Sequence, residues 1–372
     1  MRIKQASVSI VSIPMNYEVQ HALASRSTAR NVIVTLEDDQ GHKGFGESCP
    51  REYVSGESVD SVIKALTQHW FSKIEGAEFH SFGELQRWVE EALQQLPRDQ
   101  HAAFCALELA LLDLFARSKQ TPVLRLFTDQ HFKPQLYSAV IASEKIENVV
   151  ANAHMVKKFG IKMCKVKLVS DLEHNQKILT AVREVLGTEV SLRGDANAAW
   201  ADADEAESQL STLTPFELAS IEQPLASEDL PGLTQLTAAK ITPVMVDESI
   251  CSRADAHQLI EQKACDLFNI RISKCGGLTN SIALTKLAAE HGIGCQLGAQ
   301  VGETSLLSSA GLTLANLTPA LKWREGCFGT LLLEGDPFSP VVQLGPGGIA
   351  NLSENPGFGI SPDTSNWQKY AE

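Results

Sequence analysis

The chain lacks any apolar run close to the ~18 residues that a membrane-spanning helix requires. It also lacks basic excess: 32 Lys and Arg face 45 Asp and Glu, a net charge of −13. That excludes the broad cationic face used to bind nucleic acid or a membrane surface, while a local cationic pocket stays open to it. No CxxC and no Cys/His cluster links the eight cysteines, which are scattered from Cys49 to Cys327. In a chain this large they read as reduced, mostly buried thiols, with the cytoplasm as the expected compartment. Neither a GxGxxG after a strand nor a phosphate-cradling GxxxxGK[ST] is present, so no nucleotide cofactor is expected. The opening segment MRIKQASVSIVSIPM alternates like a strand and has no signal-peptide core.

At 372 residues the chain exceeds the usual size of one domain. Residues 1–130 read as an α+β capping domain: strands over 4–15 and 31–37, a turn at Asp38-Asp39-Gln40-Gly41, then helices over 58–74, 81–96 and 102–116. The last of these is apolar enough to pack between domains. From about residue 131 to 340 the pattern becomes repeated strand–helix units. Strands are expected at 136–141, 163–168, 190–193, 218–221, 243–246, 267–273, 294–300 and, least distinctly, 320–324. Such alternation means a parallel sheet, and seven or eight units mean a (β/α)₈-type barrel. Residues 341–372, rich in Gly and Pro, are expected to return across the first domain.

Charged residues recur at near-even intervals inside the barrel pattern. Lys167, Asp195, Glu222, Asp247 and Arg271 are separated by 28, 27, 25 and 24 residues, about one strand, one helix and two short loops. Each closes a short apolar run, and strand ends are where a barrel gathers its chemistry. Period-two alternation puts Lys165 and Lys167 on one face of their strand, and Arg193 and Asp195 on one face of the next. Ionised groups pointing inward from adjacent strands are costly unless paired or metal-bound. Two readings follow, a satisfied salt-bridge layer or a divalent metal site made by Asp195, Glu222 and Asp247. Three carboxylates suit Mg²⁺, with Mn²⁺ as the alternative ion, whereas the absence of His or Cys at these strand ends disfavours zinc. Two close ammonium groups lower each other's proton affinity, which frees one as a base beside the metal.

Lys165-x-Lys167, Asp195-Ala-Asn197, Glu222-Gln-Pro224, Asp247-Glu-Ser249 and Lys274-Cys-Gly-Gly277 occur in order over most of the chain. Together with Gly46-Glu47-Ser48 they resemble the enolase superfamily, in particular its muconate-lactonizing-enzyme subgroup. The handling of carboxylate-stabilised carbanions by a Lys or His base beside Mg²⁺ is general to that superfamily. The resemblance implies Mg²⁺ on Asp195, Glu222 and Asp247, Lys167 as the proton-abstracting base, and Lys165 tuning it and touching the substrate carboxylate. It implies specificity loops near Tyr17 to Thr28 and Glu52 to Glu57, and a chain that forms homo-oligomers.

Three departures from the family pattern are visible. Arg271 stands where racemising relatives carry a second lysine base; arginine stays protonated, so it is a carboxylate clamp rather than a base. Lys274 falls on the wrong face or beyond the strand. The eighth strand carries Trp323-Arg324-Glu325 in place of the Asp-x-Asp that holds a dipeptide's ammonium. Asn197, Lys274, Glu303, Glu325 and Trp323 are the further candidates for substrate contact. Glu303 has three possible roles: a general acid, a partner for Arg271, or a carboxylate at a helix start. The expected activity is Lys167-dependent removal of the proton α to the carboxylate of a small anionic substrate, followed by one-base elimination or cycloisomerisation. Racemisation or epimerisation of an N-acyl amino acid or dipeptide is the first alternative. A non-catalytic metal- or ligand-binding barrel is the second.

Overall fold

The structure, a computed structural model, describes residues 1–21 and 24–372; the side chains at 18–25 and 53 fall outside the described set. An antiparallel three-stranded sheet comes first, from Ile3–His21, Ala24–Asp38 and Lys43–Ser48. The first two strands pair almost along their whole length, so residues 17–21 and 24–28, expected within a loop, are strand. Ala22 and Leu23, in the middle of that expected loop, lie outside the described residues. Glu52–Ser55 forms a single helical turn. The helix expected over 58–74 carries a π turn at Leu66–Trp70, and the next runs Phe82–Gln94 with the Ser81 hydroxyl accepting from Glu84 N.

Helix His101–Ser118 is buried at every position from His101 to Ala116. A helix with no exposed face belongs at the centre of a packed assembly. Here it fills the space between the first sheet and the barrel. Its Glu108 carboxylate accepts from Leu278 N (2.8 Å), Thr279 N (2.9 Å) and Thr279 Oγ1 (2.6 Å), capping barrel helix Leu278–Glu290. Gly277 takes φ +106°, and a Cβ there would come within 2.4 Å of Glu108 Oε2. The second glycine of the Lys-Cys-Gly-Gly run therefore admits a carboxylate from the other half of the molecule. Glu47 does the same for helix Ser305–Leu317, accepting from Thr304 N, Thr304 Oγ1 and Leu307 N.

Eight parallel strands form the second sheet: Ala139–Ile141, Met163–Lys167, Ser191–Asp195, Leu218–Glu222, Val244–Val246, Leu267–Ile270, Gly294–Leu297 and Trp323–Arg324. Ser138 N donates to Arg324 O at 2.8 Å and joins the last strand to the first, so the sheet curls into a barrel. The strand expected at 136–141 is two pieces. Gln135–Leu136 pairs antiparallel with Ile349–Ala350 of the tail, and only Ala139–Ile141 enters the barrel. The tail then runs back over the first sheet, where Glu372 N donates to Ile10 O at 2.9 Å and Glu372 pairs with Arg30 at 3.0 Å. All eight cysteines are free and buried. Among the described residues no helix is long and apolar enough to cross a membrane.

Candidate active site

Strand register assembles the centre. Lys165 pairs across with Arg193, Lys167 with Asp195, and Asp195 with Glu222, so three charged ends stand side by side on three adjacent strands. Alternation does the rest: Cys164 and Val166 are buried on one face, and Lys165 points to the other, into the barrel. Asp247 and Arg271 follow directly after the next two strands, Val244–Val246 and Leu267–Ile270. All five predicted charged markers therefore converge at one end of the barrel.

The carboxylates are knitted together by cations. Lys165 Nζ lies 3.1 Å from Asp195, 3.1 Å from Glu222 and 2.7 Å from Glu325. Lys167 Nζ donates to Asp195 Oδ2 at 2.7 Å and to the Asn197 amide oxygen. Arg271 Nη2 donates to Asp247 and stands 3.6 Å from Glu222, while its Nη1 donates to Gln300 at 3.1 Å. Burial would raise Asp195, but the adjoining ammonium groups of Lys167 and Lys165 outweigh it and hold the carboxyl well below its usual range. Burial and then the charge of Asp195 push Glu222 up to about 7, against the pull of Lys165. Burial favours a neutral Lys165, yet Glu222, Glu325 and Asp195 raise its proton affinity well above the usual lysine value. Three carboxylates thus keep Lys165 charged beside Lys167. Lys165 is buried at 4% exposure, while the Lys167 side chain is 25% exposed.

Among the described residues no three His, Cys, Asp or Glu side chains stand close enough to grip a metal ion as they are placed. The reason is geometric: Lys165 sits between Asp195 and Glu222, and Arg271 between Glu222 and Asp247. The donor chemistry nevertheless fits a hard divalent cation. Asp195, Glu222 and Asp247 are all buried, all oxygen donors, and carried on neighbouring strand ends. An ion would take these oxygens from the Lys and Arg groups that now hold them. Nothing in the donor set singles out manganese.

Four of the further candidates have partners within the protein. Lys274 is buried, and its Nζ donates to Asp247 Oδ1 (2.8 Å), to Asn269 O (3.0 Å) and to Asp247 O. Every donor it has is spent on the protein, so it cannot serve as a base on the second face of a substrate. Glu325 is buried, bonded to Lys165 and, at 2.6 Å, to Arg193. Trp323, half-buried, packs its ring under the Arg193 guanidinium, 4.9 Å away. Glu303 does not pair with Arg271; its Oε1 accepts from Gln300 N at 2.7 Å, and Gln300 separates the two. Burial pushes Glu303 up to about 8. It borders a void of about 10 Å³, room for about one water.

Asn197 does belong to the centre. It adopts φ +46°, in the left-handed region that asparagine tolerates better than most residues. Asp195 Oδ1 accepts from its backbone N–H at 3.1 Å, and its side-chain oxygen takes the Lys167 ammonium. The backbone therefore bends sharply to aim this amide at the base, a strain typical of working sites. Sequence reasoning missed Gln223, Asn269 and Glu248. Gln223, also at positive φ, accepts from Asp247 N (2.8 Å) and donates to Ser249 Oγ (2.9 Å), tying two strand-end motifs together. Asn269 donates to Glu222 at 2.7 Å. The Gln of Glu222-Gln-Pro224 and the Glu of Asp247-Glu-Ser249 were the available signals.

A strand-end amine beside buried carboxylates, under an α/β cap, stands where a barrel of this kind gathers its chemistry. Two family models match nearly the whole chain: the mandelate racemase / muconate lactonizing enzyme N-terminal domain over residues 5–127, and the enolase C-terminal domain-like model over 148–366. The chain belongs to the mandelate racemase / muconate lactonizing enzyme family of the enolase superfamily, and is an enzyme of that superfamily. It is 27% identical to a hydrophobic dipeptide epimerase of Enterococcus faecalis over 97% of this chain and 100% of the relative. The crystal structure of the N-succinyl Arg/Lys racemase of Bacillus cereus superimposes with a TM-score of 0.91 at 25% identity, covering 100% of this chain and 98% of that one. A dipeptide epimerase from Enterococcus faecalis, solved with Mg and L-Leu-L-Tyr, gives 0.89 at 26% identity, over 97% and 100%.

Proposed function

We propose that this enzyme moves the proton α to the carboxylate of an amino-acid derivative, an N-acyl amino acid or a dipeptide, and so epimerises or racemises it. The observation that carries the reading is the amine of Lys167, partly exposed at the mouth and steadied between Asp195 and Asn197. Similarity to epimerases and a racemase over essentially the full length supports this outcome over ring closure. Asp195, Glu222 and Asp247 would hold Mg²⁺, whose chemistry here is to offset the negative charge that builds on the substrate carboxylate as the proton leaves. Lys167 removes that proton from one face, and inversion is completed when a water on the opposite face returns one, the Lys167 ammonium giving its own proton back to the hydroxide left behind. Arg271, held charged by Asp247 and Glu248 despite its burial, stands at the position of the second base and donates hydrogen bonds from there. Lys165, kept cationic by its three carboxylates, holds the electrostatic frame under Lys167. The eight buried free thiols suit a reducing compartment, the cytoplasm.

Arg271 also favours a second reading. A guanidinium is a poor general base, so one-base elimination or cycloisomerisation on the Lys167 face needs no group beyond those present. Proton NMR in D₂O with Mg²⁺ separates the two. An epimerase places deuterium at the α-carbon of both configurations, whereas a one-base enzyme labels a single configuration or expels a leaving group. Arg271→Lys, which installs an amine on the opposite side, should raise the rate of two-sided exchange in either case. Single-sided exchange in both proteins would sink the epimerase reading.

A further inference from the structure

Beside Lys167 a cavity of about 490 Å³ opens between the helical turn Glu52–Ser55 and the loops that follow three barrel strands, a volume suited to a small-molecule group. Two buried polar atoms on its wall have no partner. The first is the amide nitrogen of Asn197, a residue 7% exposed. Its orientation is set by chemistry: the oxygen end takes the Lys167 ammonium, so the nitrogen end is the one left without an acceptor. The second is Oε2 of Glu248, next in sequence to Asp247. A buried donor and a buried acceptor left unmatched each cost free energy that a bound molecule can recover.

The charge of the rim is one-sided. Glu52 and Glu228 line the same cavity, stand exposed, and make no ion pair among the described residues. The cation on the rim, Arg98, is 72% exposed and lies 3.6 Å from Asp255, which offsets it. An anionic group would meet the exposed carboxylates of Glu52 and Glu228 here, and a neutral one would leave them without a counter-charge. Resting on the α-proton chemistry proposed above, we infer that this cavity binds the positively charged side chain of the substrate, of the lysine or arginine kind. The unmatched Asn197 N–H takes the substrate's acyl or peptide carbonyl. The substrate class is thereby narrowed to N-acylated or peptide-linked basic amino acids.

The test uses the full-length, Mg²⁺-loaded protein with N-acetyl-L-arginine, its neutral isostere N-acetyl-L-citrulline, and N-acetyl-L-glutamate. Deuterium exchange gives kcat/KM, and calorimetry gives affinity. The arginine compound should lead citrulline by about tenfold, a lead that shrinks as ionic strength rises. Glu52→Gln with Glu228→Gln should bring the arginine-to-citrulline ratio toward one, mainly through KM. Citrulline or glutamate matching arginine in the wild-type protein, or a ratio untouched by the double substitution, overturns the subsite while α-proton exchange stands. If none of the three exchanges above the Lys167→Ala background, the proposed reaction fails instead. The subsite is then judged by calorimetry alone: arginine over citrulline, lost in the double variant, upholds it, and equal affinity overturns it.

Discussion

Replacing Glu325 by glutamine tests whether this carboxylate serves the frame or the substrate. Its two oxygens lie 2.7 Å from Lys165 Nζ and 2.6 Å from Arg193 Nη2, and its side chain is 6% exposed. Lys165 keeps Asp195 and Glu222 at 3.1 Å, so it survives the change with a counter-charge. Arg193 does not, because Glu325 is its one ion pair among the described residues. Breaking a buried pair by removing one partner costs about 3–5 kcal/mol. Glutamine keeps one acceptor oxygen, which places the expected loss near the lower end, about 3 kcal/mol, a large part of the 5–15 kcal/mol that holds a typical fold. Urea unfolding followed by circular dichroism reads this directly. Adding Arg193→Met should recover part of the loss, since the orphaned cation disappears with it. A Glu325→Gln protein within about 1 kcal/mol of wild type, or one that loses activity at unchanged stability, would refute the reasoning and return Glu325 to the substrate.

Lys167→Ala should leave the unfolding midpoint near wild type and reduce α-proton exchange by about 10²–10⁴-fold, the usual worth of a general base, measured by NMR in D₂O. Magnesium at a hundred times its Kd should add about 2.7 kcal/mol to the unfolding free energy, a gain that chelation reverses and that Glu222→Gln or Asp247→Asn abolishes. Burial pushes Glu108 from a usual 4.5 up to about 7. A carboxyl raised on folding binds its proton more tightly in the native state, so its contribution is full below pH 4.5 and lost as pH climbs through about 7. The span corresponds to at most about 3 kcal/mol. Glu108→Gln should flatten that part of the stability profile; an unchanged slope from pH 4.5 to 7 would place the linkage elsewhere.

Much of the charged end of the barrel is legible in the sequence. Strand–helix periodicity carried Lys167, Asp195, Glu222, Asp247 and Arg271 to successive strand ends, and side-chain parity turned them inward. Local pattern failed where the partner was remote. Residues 136–141 divide between two sheets because a tail strand more than 200 residues later captures Gln135–Leu136. The eighth strand was indistinct because it is two residues long, too short for alternation to register. Lys274 sits where its position suggested, just past a strand, but its long stem folds back to Asp247.

Sequence by itself determined the order of the barrel units and which side of each strand bears charge, since both follow from periods of two and of about 25 residues along one backbone. Tertiary structure alone decided who neutralises whom. Lys165 meets Glu325 from the far end of the barrel, and Glu108 reaches a helix 170 residues on past a glycine that leaves it room. Coulomb energy and hydrogen bonding are settled within about 3 Å, a scale on which only the closed barrel and its cap define who is near.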